Sequence, residues 1–122
     1  MIREPSFLKR ATEVGERMRE HLLSIQAEAD LVGDVRGLGA MLAMELVHDR
    51  DTKEPANEQT TQVNAETLKR GVITIRAGLY SNCVRFLPPL NMSNAQIDEG
   101  MSVVKEATLA VSEMHRNQRV LA

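Results

Sequence analysis

The sequence predicts an α+β domain: a small, largely antiparallel sheet with helices packed on one face. Three observations predict it. Two stretches, near the start and near the end, repeat apolar residues every three or four positions. Four short apolar runs lie between them, in two pairs separated by a thinner helical stretch. The links are short, which favours antiparallel neighbours. The predicted order is helix, strand, strand, helix, strand, strand, helix.

Phe7, Leu8, Ala11, Val14, Met18, Leu22 and Ile25 form the first apolar stripe, with Glu13, Glu16, Arg17, Arg19 and Glu20 between them. This is an amphipathic helix of about five turns. Ser6, after Pro5, is the expected N-cap. Gly15 inside the helix costs about 1 kcal/mol relative to Ala. Leu31 to Arg36 reads as a strand, Gly37-Leu38-Gly39 as a tight turn, and Ala40 to Val47 as a more buried strand. Residues 40–47 also favour helix by propensity, but the preceding glycines and the polar loop from His48 to Ala56 argue for strand. A second helix runs from Asn57 to about Arg70, with Gly71 as its stop and a thin apolar face of Val63, Ala65 and Leu68. Val72 to Ile75 is β-branched and reads as a strand. A turn-rich loop covers Ala77 to Asn82. Cys83 to Leu87 is the last strand, ended by Pro88-Pro89, which cannot donate to a ladder. Ser93 and Gln96 form a capping box ahead of a stripe of Ile97, Met101, Val104, Thr108 and Val111. Met114 to Ala122 is expected to fray or dock elsewhere.

With 122 residues, one domain (core about 7–112) fits better than two. Aromatic residues make up 2%, so the core falls to aliphatics and methionines, and stacking platforms for single-stranded nucleic acid are missing. The net charge of −2 comes from interspersed charges, which leaves no electrostatic footprint for nucleic acid. The single Cys83 forms no intrachain disulfide, which is compatible with a cytoplasmic location. Neither a signal peptide nor a membrane span is expected. His21, His48 and His115 are scattered without metal-ligand spacing, so no metal site is expected. Arg36-Gly37-Leu38-Gly39 lacks the pattern of a phosphate loop and reads as a turn.

Arg85 most needs explaining. It sits at the centre of an apolar strand, where alternation groups it with Cys83 and Leu87 and sets Val84 and Phe86 on the other face. Its planar fork suits a carboxylate bound through two parallel hydrogen bonds. The plainer alternative is an edge-strand arginine facing water or paired with Glu45. Spacing leaves both open. Asp34 and Glu45 show no spacing that marks an acid–base pair.

Several ordered segments resemble class III (ω-type) aminotransferases. Val35-Arg36-Gly37-Leu38-Gly39-Ala40-Met41-Leu42-Ala43-Met44-Glu45-Leu46 is similar to a strand pair of their C-terminal part. Gly71-Val72-Ile73 resembles the step after their amphipathic helix. Gly78 to Leu90, with its Gly-x-Tyr-x-Asn-x-x-Arg pattern, is similar to the segment that supplies their substrate-binding arginine, and looks closest to the 4-aminobutyrate type. Asn94 to Gly100 resembles the start of their last helix. The likeness runs from about Phe7 to Val111.

The resemblance implies a C-terminal small domain of a fold-type I enzyme that depends on pyridoxal phosphate. It implies that Arg85 grips the α-carboxylate of glutamate or 2-oxoglutarate, and that Gly78, Tyr80 and Asn82 line the site by shape. It also implies a homodimeric parent that takes an ω-amino acid as donor. The family's Schiff-base lysine and phosphate-binding loop belong to a large domain expected to precede residue 1. Lys9, Lys53, Lys69 and Lys105 match no such motif. No catalytic, cofactor-binding or metal residue is therefore assigned, and the isolated chain is expected to be inactive. A stand-alone carboxylate-binding or interaction module is the alternative.

Overall fold

A computed structural model describes residues 5–89 and 91–121, with side chains up to residue 118. The elements are α1 (Pro5–Glu28), β1 (Val32–Leu38), β2 (Met41–Leu46), α2 (Asn57–Lys69), β3 (Ile75–Ala77), β4 (Cys83–Phe86) and α3 (Asn94–Leu121). Their order is the predicted one. The four strands form one antiparallel sheet in the order β1-β2-β4-β3.

Register sorts the sheet residues into two faces. Val35, Met44, Val84 and Arg76 form one cross-strand row, and Leu42 and Phe86 lie in the next row of that face. This face packs against the helices. The stripes of α1 (Val14, Met18, Leu22, Ile25) and α3 (Ile97, Met101, Val104, Val111) close the core over it. The opposite face carries the rows Arg36, Ala43, Arg85, Ile75 and Asp34, Glu45, Cys83, Ala77. No helix covers it. A register shift between Val32 and Asp34 breaks the alternation in β1, so Val32 and Val35 both reach the core.

Gly15 has a tertiary reason. A Cβ there would lie 2.0 Å from the Gly39 carbonyl oxygen, so α1 rests its backbone on the tip of the β1–β2 hairpin. The turn itself is Gly39-Ala40, with Gly39 at φ 57°, while Gly37 pairs within β1. Arg50 holds the far end of α1, donating from Nη2 to the Gln26 and Ala29 carbonyls at 2.6 and 3.0 Å. Gly71 ends α2 at φ 90°, with its N–H on the Leu68 carbonyl and that of Val72 on the Thr67 carbonyl. That is the Schellman pattern. The capping box also forms: Gln96 N–H donates to Ser93 Oγ at 3.1 Å, and Ser93 N–H to Gln96 Oε1 at 2.9 Å.

Five local expectations are corrected. Ser6 lies inside α1, which already includes Pro5, and so it is not the N-cap. The strand expected at Val72 to Ile75 is Ile75–Ala77; Thr74 is tied to α2 through the Asn64 and Thr67 side chains, and Ile73 is 82% exposed. On α2 only Val63 of the expected apolar face is buried, together with Gln59, Thr60 and Thr67, while Ala65 and Leu68 are exposed. The hairpin turn moves from Gly37-Leu38-Gly39 to Gly39-Ala40. Residues Met114 to Leu121 continue α3 instead of fraying; Ala122 lies outside the described residues.

Candidate functional site

The uncovered sheet face carries the charged residues of interest. Arg85 projects from β4 between Ala43 on β2 and Ile75 on β3, its direct cross-strand neighbours. Directly opposed residues hold their Cβ atoms about 4.5–5.5 Å apart. The arginine stem therefore stands between a small residue and a β-branched one. Arg85 makes no side-chain hydrogen bond or ion pair among the described residues. Beside it opens an apolar cleft of about 260 Å³ between Ile73–Ile75, Phe86–Pro89 and α3, in which Arg85 is the only charged lining residue described.

The expected alternative partner of Arg85 is engaged elsewhere. Glu45 accepts from Arg36 Nη1 at 3.2 Å, and the same nitrogen donates to Asp34 at 3.2 Å. Arg36 Nη2 lies 3.4 Å from Cys83 Sγ. Burial pulls the Arg36 guanidinium down, but Asp34, Cys83 and Glu45 outweigh it and raise it. Burial pushes the Cys83 thiol up, only partly offset by Arg36, in keeping with its packed position.

The loop before β4 divides by role. Asn82 is 2% exposed, and its Nδ2 donates to the Leu46 carbonyl at 2.9 Å while its own carbonyl accepts from Leu46 N–H at 2.7 Å. It locks the loop to the end of β2. Tyr80 and Leu79 face solvent. Gly78, at φ 94°, lets the chain turn against Cys83, whose Sγ would lie 2.9 Å from a Cβ there.

Two clusters escaped the sequence reading. Asp98 on α3 accepts from Arg17 Nε at 2.9 Å and Nη2 at 2.5 Å, and from His21 Nε2 at 2.8 Å. Those bonds, Arg17 first, hold its carboxyl far below the usual carboxylate range. His48 Nδ1 and His115 Nε2 share a hydrogen bond at 2.9 Å. These partners are 67 to 81 positions apart in sequence, beyond any local pattern. Among the described residues no group of three or more His, Cys, Asp or Glu is placed to hold a metal, and no helix is long and apolar enough to cross a membrane. No lysine lies on a strand: Lys9 is exposed on α1, Lys53 sits in an exposed loop, Lys69 pairs with Glu66, and Lys105 pairs with Glu28.

The family model for class-III aminotransferases matches residues 1–108. The chain is 38% identical over 106 residues to a 5-aminovalerate aminotransferase of Pseudomonas aeruginosa, covering 87% of this chain and 25% of that protein. It is 34% identical over 106 residues to the 4-aminobutyrate aminotransferase of Escherichia coli, with the same shares covered. Among solved structures, a Bacillus anthracis aminotransferase superposes with a TM-score of 0.80 at 32% identity, over 88% of this chain and 25% of that one. The chain thus spans about a quarter of the length of the curated relatives it matches. With the sheet order, the helical face and these matches in agreement, the chain belongs to the class-III aminotransferase family.

Proposed function

We propose that this chain is the C-terminal small domain of a pyridoxal-phosphate-dependent aminotransferase that works between an ω-amino acid, 4-aminobutyrate or a close homologue, and 2-oxoglutarate. Arg85 grips the α-carboxylate of glutamate or 2-oxoglutarate. The observation that carries this reading is a guanidinium with no partner among the described residues, on the uncovered face of the sheet and beside an apolar cleft. Its planar fork matches a carboxylate through two parallel bonds. Holding that end of the substrate orients the reacting carbon, which contributes through positioning. Gly78 and Asn82 serve by shaping the loop that leads into β4, and Tyr80 stands exposed on it.

Pyridoxal phosphate supplies the electron sink for such chemistry when bound. The four lysines described above do not fit a covalent site for it: none lies on the sheet face with Arg85, and two are tied in surface ion pairs. On this reading the cofactor is held by a large domain of a longer polypeptide, and the chain by itself does not turn over.

The test is Arg85→Lys in the longest native polypeptide that carries this sequence. Lysine keeps the charge and loses one of two hydrogen bonds to a charged group, each contributing about 1.5–3 kcal/mol. The expected loss in kcat/KM for 2-oxoglutarate is roughly 10- to 150-fold. The half-reaction from 4-aminobutyrate, whose carboxylate lies at the far end, falls less. A kcat/KM for 2-oxoglutarate within twofold of wild type would sink the assignment. Glutamate binding lost in Arg85→Lys, in a polypeptide without transaminase activity, would instead favour a carboxylate-binding module.

A further inference from the structure

Arg36 and Arg85 stand in the same cross-strand row, separated by Ala43, yet their circumstances differ. Arg36 is bonded to two carboxylates, and Arg85 to none among the described residues. Glu45 is opposite Cys83, two residues along β4 from Arg85 and on the same face. Diagonal neighbours of this kind lie about 7–8 Å apart, within reach of long side chains. Glu45 is therefore the carboxylate best placed in register to reach Arg85, and Ala43 is too small to stand between them. What keeps Glu45 away is Arg36, which draws it to the β1 side at 3.2 Å. The Glu45 side chain is 28% exposed, less than the 54% of Asp34, so a free Glu45 charge would be the worse solvated of the two. Without Arg36 the face would hold two carboxylates and one arginine.

We propose that Arg36 is a positioning residue that sequesters Glu45 and so leaves the Arg85 fork open to a substrate carboxylate. This rests on the reading of Arg85 given above. Arg36 does not touch the substrate. It sets the competition for Arg85, because each substrate carboxylate has to displace whatever anion occupies the fork.

The experiment is a double-mutant cycle in the longest native polypeptide, read as KM and kcat for 2-oxoglutarate. Arg36→Gln frees Glu45 to pair with Arg85, and KM is expected to rise about two- to fivefold, the strength of a partly exposed ion pair, with kcat little changed. Adding Glu45→Gln removes the competitor, so the Arg36→Gln/Glu45→Gln protein returns close to the wild-type KM. Arg36→Lys still holds Glu45 by charge and stays near wild type. The proposal is overturned if Arg36→Gln leaves KM unchanged, if the second substitution brings no recovery, or if Arg36→Lys behaves like Arg36→Gln. A merely structural role for Arg36 would not be rescued by removing a second charged residue. Arg85→Gln in the same assay separates the two levels. If it too leaves 2-oxoglutarate kinetics intact, the reading of Arg85 fails; if it is impaired while the cycle shows no rescue, only the role of Arg36 fails.

Discussion

Gly15→Ala and Gly100→Ala are the same chemical change on two helices, and the structure sets them apart in sign. Each gains up to about 1 kcal/mol of helix propensity. At Gly100 an added Cβ meets nothing within 4 Å, so the gain stands. At Gly15 the Cβ would lie 2.0 Å from the Gly39 oxygen, 2.4 Å from its carbon and 3.1 Å from Ala40 N. Heavy atoms in good contact stay about 3.5 Å apart, so α1 would have to retreat by more than about 1 Å. The obstacle is the backbone of a hairpin paired in the sheet, not a rotatable side chain, and retreat would loosen Val14, Met18 and Leu22. Overpacking costs about 1–3 kcal/mol, and this site falls at the upper end. Net of propensity, Gly15→Ala should destabilise by about 2 kcal/mol and Gly100→Ala should stabilise by about 0.5–1 kcal/mol. At roughly 4 °C per kcal/mol, the melting points should differ by about 10 °C. Thermal and urea unfolding followed by far-UV circular dichroism measure both. A Gly15→Ala protein as stable as Gly100→Ala would refute the close approach of α1 to the hairpin.

Other outcomes follow from the same contacts. Asp98 is ionised below the usual carboxylate range only in the folded chain, so the unfolded chain takes up the proton first and stability falls as pH falls. The excess stability of wild type over Asp98→Asn should therefore be complete above about pH 5 and shrink toward pH 2, as acid titration of the two melting points would show. Ser93→Ala removes the acceptor for the Gln96 N–H and should cost about 1 kcal/mol in urea unfolding. Asn82→Ala removes a buried bond to the Leu46 carbonyl and should cost about 1–2 kcal/mol; hydrogen exchange should rise in the loop at Ser81 and Asn82 before it rises in β4.

The sequence by itself determined the element order, the α+β class, the capping box at Ser93 and the stop at Gly71. These are local matters: a 3.6-residue period, a hydroxyl three positions before an amide, a glycine where φ has to be positive. The apolar stripes of α1 and α3 were legible for the same reason, since periodicity reports which side of a helix meets a core. Arg85 was legible as an anomaly, a charge inside an apolar strand, although alternation alone left water, Glu45 and a ligand all open as partners. Resemblance, and later the family match over residues 1–108, narrowed the class. Only the tertiary structure decided the remainder. The start of β3 moved to Ile75 because the Thr74 hydroxyl bonds Asn64 and Thr67 of α2, 7 to 10 positions away, instead of the residue joining the ladder. Glu45 belongs to Arg36 because the β1–β2 register brings Asp34 opposite Glu45 and Arg36 opposite Ala43. Gly15, costly in an isolated helix, is required by a hairpin tip that arrives 24 residues later in the chain (Gly39 against Gly15). Asp98 with Arg17 and His21, and His48 with His115, meet only after the helices dock. Propensity and period act over a few residues, whereas ion pairs and close approaches depend on register and docking, which the whole core sets at once.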